Sequence, residues 1–231
     1  MKIYINDIPV RIRDSRRKDE KEYDLRLDDT DILIPLAKLK GHVLIENKTF
    51  MAIDKLLKIM TNKKHHKIKS VEIVVKSKLK AKEYLISHFN LIEAAGGLVE
   101  KEDKVMMILR HDLWDIPKGK MEKKEKPKDC AVREVEEETG AKVQIISKIG
   151  STWHTYLMNH KYVIKKTHWY RMTCKDDSNI KPQKSENIDE VVWMGTSEVD
   201  IAMYHSYKTI KEVIKKHREM IIGEEVKNQI A

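Results

Sequence analysis

The chain has 231 residues, 41% of them apolar and 36% charged, with a formal net charge of +9. That length can bury the core of one large domain or of two modest ones. Its two cysteines, Cys130 and Cys174, exclude a disulfide framework and suit a reducing, cytoplasmic setting. No apolar run nears the ~20 residues that cross a bilayer, and Met1-Lys2-Ile3-Tyr4-Ile5-Asn6-Asp7 lacks the apolar core of a leader, so no membrane contact is expected.

The charge is uneven. Residues 1–90 hold 21 Lys and Arg against 13 Asp and Glu, and the remainder holds 25 against 24. Such a basic field attracts polyanions, RNA among them, although a lysine-rich solubilising surface gives the same count.

In chain order, residues 2–6 read as a short strand that residues 10–13 continue or pair with, and residues 16–21 as a charged loop. Ile53, Leu56, Leu57 and Met60 recur at helical spacing and predict a helix over 49–60. Residues 71–75 are a β-branched strand, and Leu79, Leu85, Ile86 and Phe89 mark a helix over 78–89. Residues 1–90 thus form a small basic α+β domain, and a second domain spans 91–231. That second domain starts with the small-residue strand 94–99, suited to close backbone approach, and the apolar strand 105–109. Residues 115–120 are a Pro/Gly loop. A helix over 127–139, strands at 143–149, 162–174 and 191–194, and a closing helix at 197–217 complete it.

Gly119, Glu125 and the run Arg133-Glu134-Val135-Glu136-Glu137-Glu138-Thr139-Gly140-Ala141 carry the chemistry. Pro127 suits a first helical turn and Gly140 a left-handed cap. Ala131, Val132, Val135 and Thr139 fall on one side of the helix. Glu134, Glu137 and Glu138, spaced i, i+3, i+4, share an adjoining face. Stacked carboxylates repel one another. A cation relieves that cost, and hard oxygen donors suit Mg²⁺ or Mn²⁺. An ordinary solvated helix rich in glutamate would not require Gly119, Glu125 and Arg133 at these intervals.

The pattern is Gly, five residues, Glu, seven residues, then Arg-Glu-apolar-any-Glu-Glu-any-Gly-apolar. It resembles the Nudix box, the signature of the Nudix hydrolase family, and residues 119–141 match every specified position. The resemblance implies an α/β/α sandwich with a mixed sheet. It also implies Mg-dependent hydrolysis of a diphosphate linkage in a nucleoside-diphosphate-linked compound. By the same resemblance Glu134, Glu137 and Glu138 hold the metal with the Gly119 carbonyl, Glu134 serves as general base, and Arg133 braces Glu125. An acid before the last strand joins the site, Glu186 first and Glu190 second.

The substrate is less closely specified. The Trp114-x-x-Pro117-Lys118-Gly119 approach looks like that of Nudix enzymes acting on dinucleoside polyphosphates, although Lys120 stands where that subgroup commonly has His. ADP-ribose or a sugar nucleotide is the alternative. Lys118 and Lys120 are candidates for phosphate charge. Trp114, His154 and Tyr156 are candidates for base or phosphate contact, with core packing the competing role, and His168 shares that ambiguity. A nucleotide- or RNA-binding sensor, with RNA contact through residues 1–90, is the reading without catalysis. A homodimer interface is the purely structural reading of that segment.

Overall fold

The structure, a computed structural model, describes residues 1–15, 22–28, 39–47, 50–60, 67–159 and 161–230. The charged stretch 16–21 lies outside them. The chain divides into two compact units, Met1–Leu91 with Trp153–Lys165, and Ile92–Thr152 with Lys166–Ala231. Residues 153–165, placed in the second domain from sequence, therefore belong to the first unit.

In the first unit, β1 (Lys2–Ile5) and β2 (Ile8–Asp14) form an antiparallel hairpin. Its two turn residues, Asn6 and Asp7, both have positive φ, 48° and 62°, as a tight turn matching the strand twist requires. Then come β3 (Leu25–Leu27), β4 (Gly41–Asn47), α1 (Met51–Met60), β5 (Ile68–Val75) and α2 (Lys78–Ser87). The strand order is β1-β2-β5-β4-β3, and every pair beyond the hairpin is parallel. Alternation sends Val10, Ile12, Val43, Ile45, Val71 and Ile73 into one core with Ile53, Leu56 and Met60 of α1 and Ala81 and Leu85 of α2. On the other face Glu72, only 5% exposed, is paired with Arg13 and Arg11. β1 also pairs in parallel with the far end of β10 (Lys142–Met158), Tyr4 opposite His154 and Ile5 opposite Thr155. That pairing brings 153–165 into this unit.

The second unit holds β6 (Asn90–Lys101) from its third residue onward, β7 (Lys104–Arg110), β8 (Leu113–Asp115), β9 (Lys118–Lys120), α3 (Pro127–Thr139), the first part of β10, β11 (Lys161–Asp176) from Lys166, β12 (Ile188–Met194), α4 (Thr196–Ala202) and α5 (Lys208–Ile230). The sheet order is β12-β7-β6-β11-β10, with β8 on β7 and β9 on β6. Period-two alternation makes three layers. Ala95 and Val99 of β6, with Tyr170 and Met172 of β11, pack on Ala131 and Val135 of α3. Leu98 and Trp169, from the same strands, pack on Val199 of α4 and on Ile210, Val213 and Ile214 of α5. The fold is the expected α/β sandwich, a mixed sheet with helices, and α3 occupies the residues predicted for it.

Two further expectations change. The loop at 115–120 contains strand β9, because Ala94, Ala95 and Gly96 supply it with a partner in β6. The closing helix is two helices. Between them Ser206 is extended and bridges to Trp114, which interrupts the helical turn. Among the described residues no helix is long and apolar enough to cross a membrane.

Candidate active site

Three side chains of α3 engage three consecutive residues of β9. Glu138 Oε2 accepts the Lys118 backbone N–H at 2.8 Å. Glu134 lies directly on Gly119, where an added Cβ would fall 1.7 Å from its Oε2. Arg133 donates to the Lys120 carbonyl at 3.2 Å. β9 can come this close because Gly96, its partner on β6, has no side chain; a Cβ there would meet the Pro117 carbonyl at 2.2 Å. At the far end of α3, Gly140 takes φ 75° and closes the helix through its N–H to the Glu136 carbonyl.

Arg133 organises the acids. Its Nε and Nη2 donate to the two oxygens of Glu125 at 2.8 and 2.9 Å, a bidentate pair. Its Nη1 donates to Glu134 at 2.8 Å and to Glu137 at 3.0 Å. Glu125 also accepts the Glu122 N–H. The Arg133 guanidinium thereby holds the Glu125 carboxyl down at about 2 and is itself shifted upward, chiefly by that hydrogen bond. Glu134 moves the other way. Burial raises its pKa, opposed by Arg133 and assisted by the charge of Glu137. Glu137 stays 51% exposed and borders an open depression of about 590 Å³, lined also by Asp129, Val132, Glu136 and Lys142.

Glu138 turns inward. It is 1% exposed, and burial pushes its pKa up to about 7, opposed by Lys118 and Arg110. Arg110 Nη1 lies 3.6 Å from Glu138, and Nη2 bonds Glu186 at 3.0 Å, tying the turn Lys184–Glu186 to the helix. Lys118 Nζ is held by Asp115, which is buried. Arg110 and Asp115 were not among the sequence candidates. In the sequence Arg110 merely follows the apolar strand 105–109 and Asp115 opens the Pro/Gly loop, and neither position signals its partner.

The remaining candidates are dispersed. Lys120 and Glu190 are exposed. Trp114 packs into the α4–α5 layer with Ile116, Met194 and Met203, on the sheet face away from α3. His154 and Tyr156 belong to the first unit, their rings stacked at 5.7 Å. Cys130 is fully buried, and burial with the nearby Glu125 and Glu134 lifts its thiol to about 12.

Among the described residues no three His, Cys, Asp or Glu side chains form a metal cage. The donor chemistry nevertheless suits a hard cation. Glu134 and Glu137 converge on a single nitrogen of Arg133, a positive group already standing between them. The Gly119 carbonyl faces α3, 3.9 Å from Cys130 Sγ.

Residues 91–215 match the family model of the NUDIX domain. The m7GpppN-mRNA hydrolase of Saccharomyces cerevisiae is 27% identical over 117 residues, 50% of this chain but 12% of that protein. The RNA pyrophosphohydrolase of Zymomonas mobilis is 32% identical over 107 residues, 38% of this chain and 69% of that protein. Similar solved structures include a NUDIX hydrolase from Nitrosomonas europaea, at 24% identity and TM-score 0.47, covering 56% of this chain and 71% of that one. A C. elegans Ap4A hydrolase matches at 16% identity and TM-score 0.46, covering 57% and 98%.

Proposed function

Because this chain belongs to the NUDIX family through residues 91–215, we propose that it hydrolyses a diphosphate linkage in a nucleoside-diphosphate-linked compound, at the surface where α3 lies on β9. The observation that carries this reading is the Arg133 centre, with Glu125, Glu134 and Glu137 on one guanidinium and Glu134 seated on Gly119. Glu134, Glu137 and Glu138, with the Gly119 carbonyl, would hold Mg²⁺ or Mn²⁺, which supplies neutralisation of phosphate oxygens and an acidified water. Glu134 has the placement and the burial-raised pKa to take a proton from the attacking water. Arg133 keeps that carboxylate oriented, and Glu125 keeps Arg133 in place. Lys120 flanks Gly119, exposed, where it can balance charge on the departing phosphate.

Two substrate readings have support. A capped or 5′-phosphorylated RNA end is favoured by the two relatives named for mRNA and RNA substrates, and the basic charge of residues 1–90 agrees with it. A dinucleoside polyphosphate is favoured by the Pro117-Lys118-Gly119 approach. ADP-ribose and sugar nucleotides share the same linkage. The test is a Mg²⁺-dependent hydrolysis panel spanning these classes and inositol polyphosphates, with Glu137→Gln as the blank. Cleavage of one class by the parent and not by the blank is expected. Folded protein that cleaves nothing with Mg²⁺ or Mn²⁺ would overturn the catalytic reading in favour of a binding role.

A further inference from the structure

A second group of charged side chains stands on the same sheet face as the α3 carboxylates. Alternation fixes that face. On β6, Ala95 and Val99 pack toward α3 whereas Leu98 packs toward α5, so Glu93 points to the α3 side. On β11, Tyr170 and Met172 pack toward α3 whereas Trp169 packs toward α5, so Lys166 and His168 point to the α3 side as well. The three side chains meet there. Lys166 Nζ lies 2.7 Å from Glu93 Oε1, and His168 Nε2 lies 3.3 Å from the same oxygen. His168 Nδ1 is 3.4 Å from the Ser151 hydroxyl.

The group adjoins β9. Ala95 pairs with Gly119, and the Glu93 carbonyl accepts the Met121 N–H at 3.1 Å. Glu93 is therefore two residues, about 7 Å along β6, from Ala95, whose partner on the adjacent strand is the Gly119 on which Glu134 sits. The chain of a substrate with several phosphates can span that interval. The cluster also opens outward, since the Glu93 side chain is 41% and the Lys166 side chain 25% exposed. The same two strands carry a contrasting network on the opposite face. There Glu100 and Arg171 are closed over by His217 and Glu224 of α5, as an internal brace would be.

We infer that Lys166 and His168, positioned by Glu93, form a subsite for a phosphate of the substrate's polyphosphate chain beyond the bond that is cut. This inference rests on the hydrolase reading above and deepens it. A polyanion meeting Glu125, Glu134 and Glu137 needs positive or neutral donors where its chain leaves that acidic centre. Lys166 gives a cation, and His168 gives a ring N–H. Burial holds the His168 pKa down, assisted by the charges of Lys166 and Lys148 and opposed by Glu93, so both lysine charges act on this spot.

The test uses the full chain in two independent readouts. The first is calorimetric titration of inorganic tripolyphosphate in Mg²⁺, which needs no turnover. The second is the KM and kcat of whichever polyphosphate substrate the panel identifies. Lys166→Met should weaken tripolyphosphate binding and raise KM by about 10-fold, as loss of one charge-assisted hydrogen bond does, with kcat at saturation within about 2-fold. Lys166→Arg should restore most of both. Lys101→Met, which breaks a comparable ion pair with Asp177 at the other end of β6, should change neither. Parent protein that hydrolyses nothing but binds tripolyphosphate through Lys166 would refute the hydrolase reading and leave the subsite standing. Parent protein that does not bind tripolyphosphate, or a Lys166→Met chain that loses only thermal stability with affinity and KM unchanged, would overturn the subsite.

Discussion

Two carboxyls beside α3, Glu125 held by Arg133 and Glu138 turned to the core, behave in opposite ways. Toward solvent, the Arg133 guanidinium gathers Glu125, Glu134 and Glu137, and for Glu125 the effect is a carboxylate kept ionised to about 2. Toward the core, Glu138 has a backbone N–H and a distant arginine, and burial favours its neutral form up to about 7. Glu125, from the loop before α3, and Glu138, on α3 itself, thus shift in opposite directions because one faces a fixed cation and the other faces the core. An arrangement of this kind costs stability and is found where acids must act on a substrate.

The comparison can be broken most severely at its exposed side. Glu137→Gln should lower turnover by at least ~100-fold, because one carboxylate of the proposed hard-cation site is removed, while the melting temperature stays near that of the parent. Near-parental activity in folded protein would remove Glu137 from the chemistry. Gly119→Ala forces a methyl into the Glu134 carboxylate. The clash is with the far end of a flexible side chain, so Glu134 should swing off β9 and turnover should fall with little loss of stability. Parental turnover in folded Gly119→Ala protein would mean that the seat of Glu134 on Gly119 is not needed. Trp114→Ala should lower stability, by less than the ~3–5 kcal/mol of a fully buried aromatic because Trp114 is only partly buried, with little change in KM. A raised KM at unchanged stability would return Trp114 to a ligand-contacting role.

The smallest effects are pH slopes, and they have opposite signs. Glu125 is depressed from 4.5 to about 2, so the folded state holds fewer protons than the unfolded state between those values. Its stabilisation is complete above 4.5 and is lost as pH falls toward 2. Glu138 is raised from 4.5 to about 7. The folded state then binds the extra proton, and stability declines as pH rises from 4.5 to 7. Thermal unfolding in chelator should show Glu125→Gln flattening the acid limb and Glu138→Gln flattening the limb toward neutrality. Parallel curves for parent and Glu138→Gln across pH 4.5–7 would mean that Glu138 is ionised throughout.

Sequence reading worked best where the determinants are local. α3 spans 127–139 as expected because Pro127 and Gly140 mark its ends and its apolar residues repeat within it. The pairing of Arg133 with Glu125 crosses only a short loop and was likewise expected from the family resemblance. Features set by distant partners were not legible. No element was expected between residues 22 and 47, yet β3 and β4 lie there. β4 is buried on both faces of parallel pairings, so Val43, Leu44 and Ile45 show no alternation. Lys118-Gly119-Lys120 reads as a loop until β6 supplies its partner. Arg110 reaches Glu138, and Lys166 reaches Glu93, only through sheet order, which no single-sequence pattern encodes.

The hairpin of β10 and β11 is rooted in one unit and has its far end, residues 153–165, in the other. The first unit is therefore incomplete until residue 165 has left the ribosome, so the N-terminal stretch cannot finish folding before much of the second unit has been synthesised. A cut at residue 91 does not yield two modules. It strips β1 of its parallel neighbour in one fragment, and in the other it bares a strand whose Ile164 is fully buried in the intact chain, inviting edge-to-edge association. Clean separation of the halves requires residues 153–165 to be transferred to the first unit, not only a break in the chain.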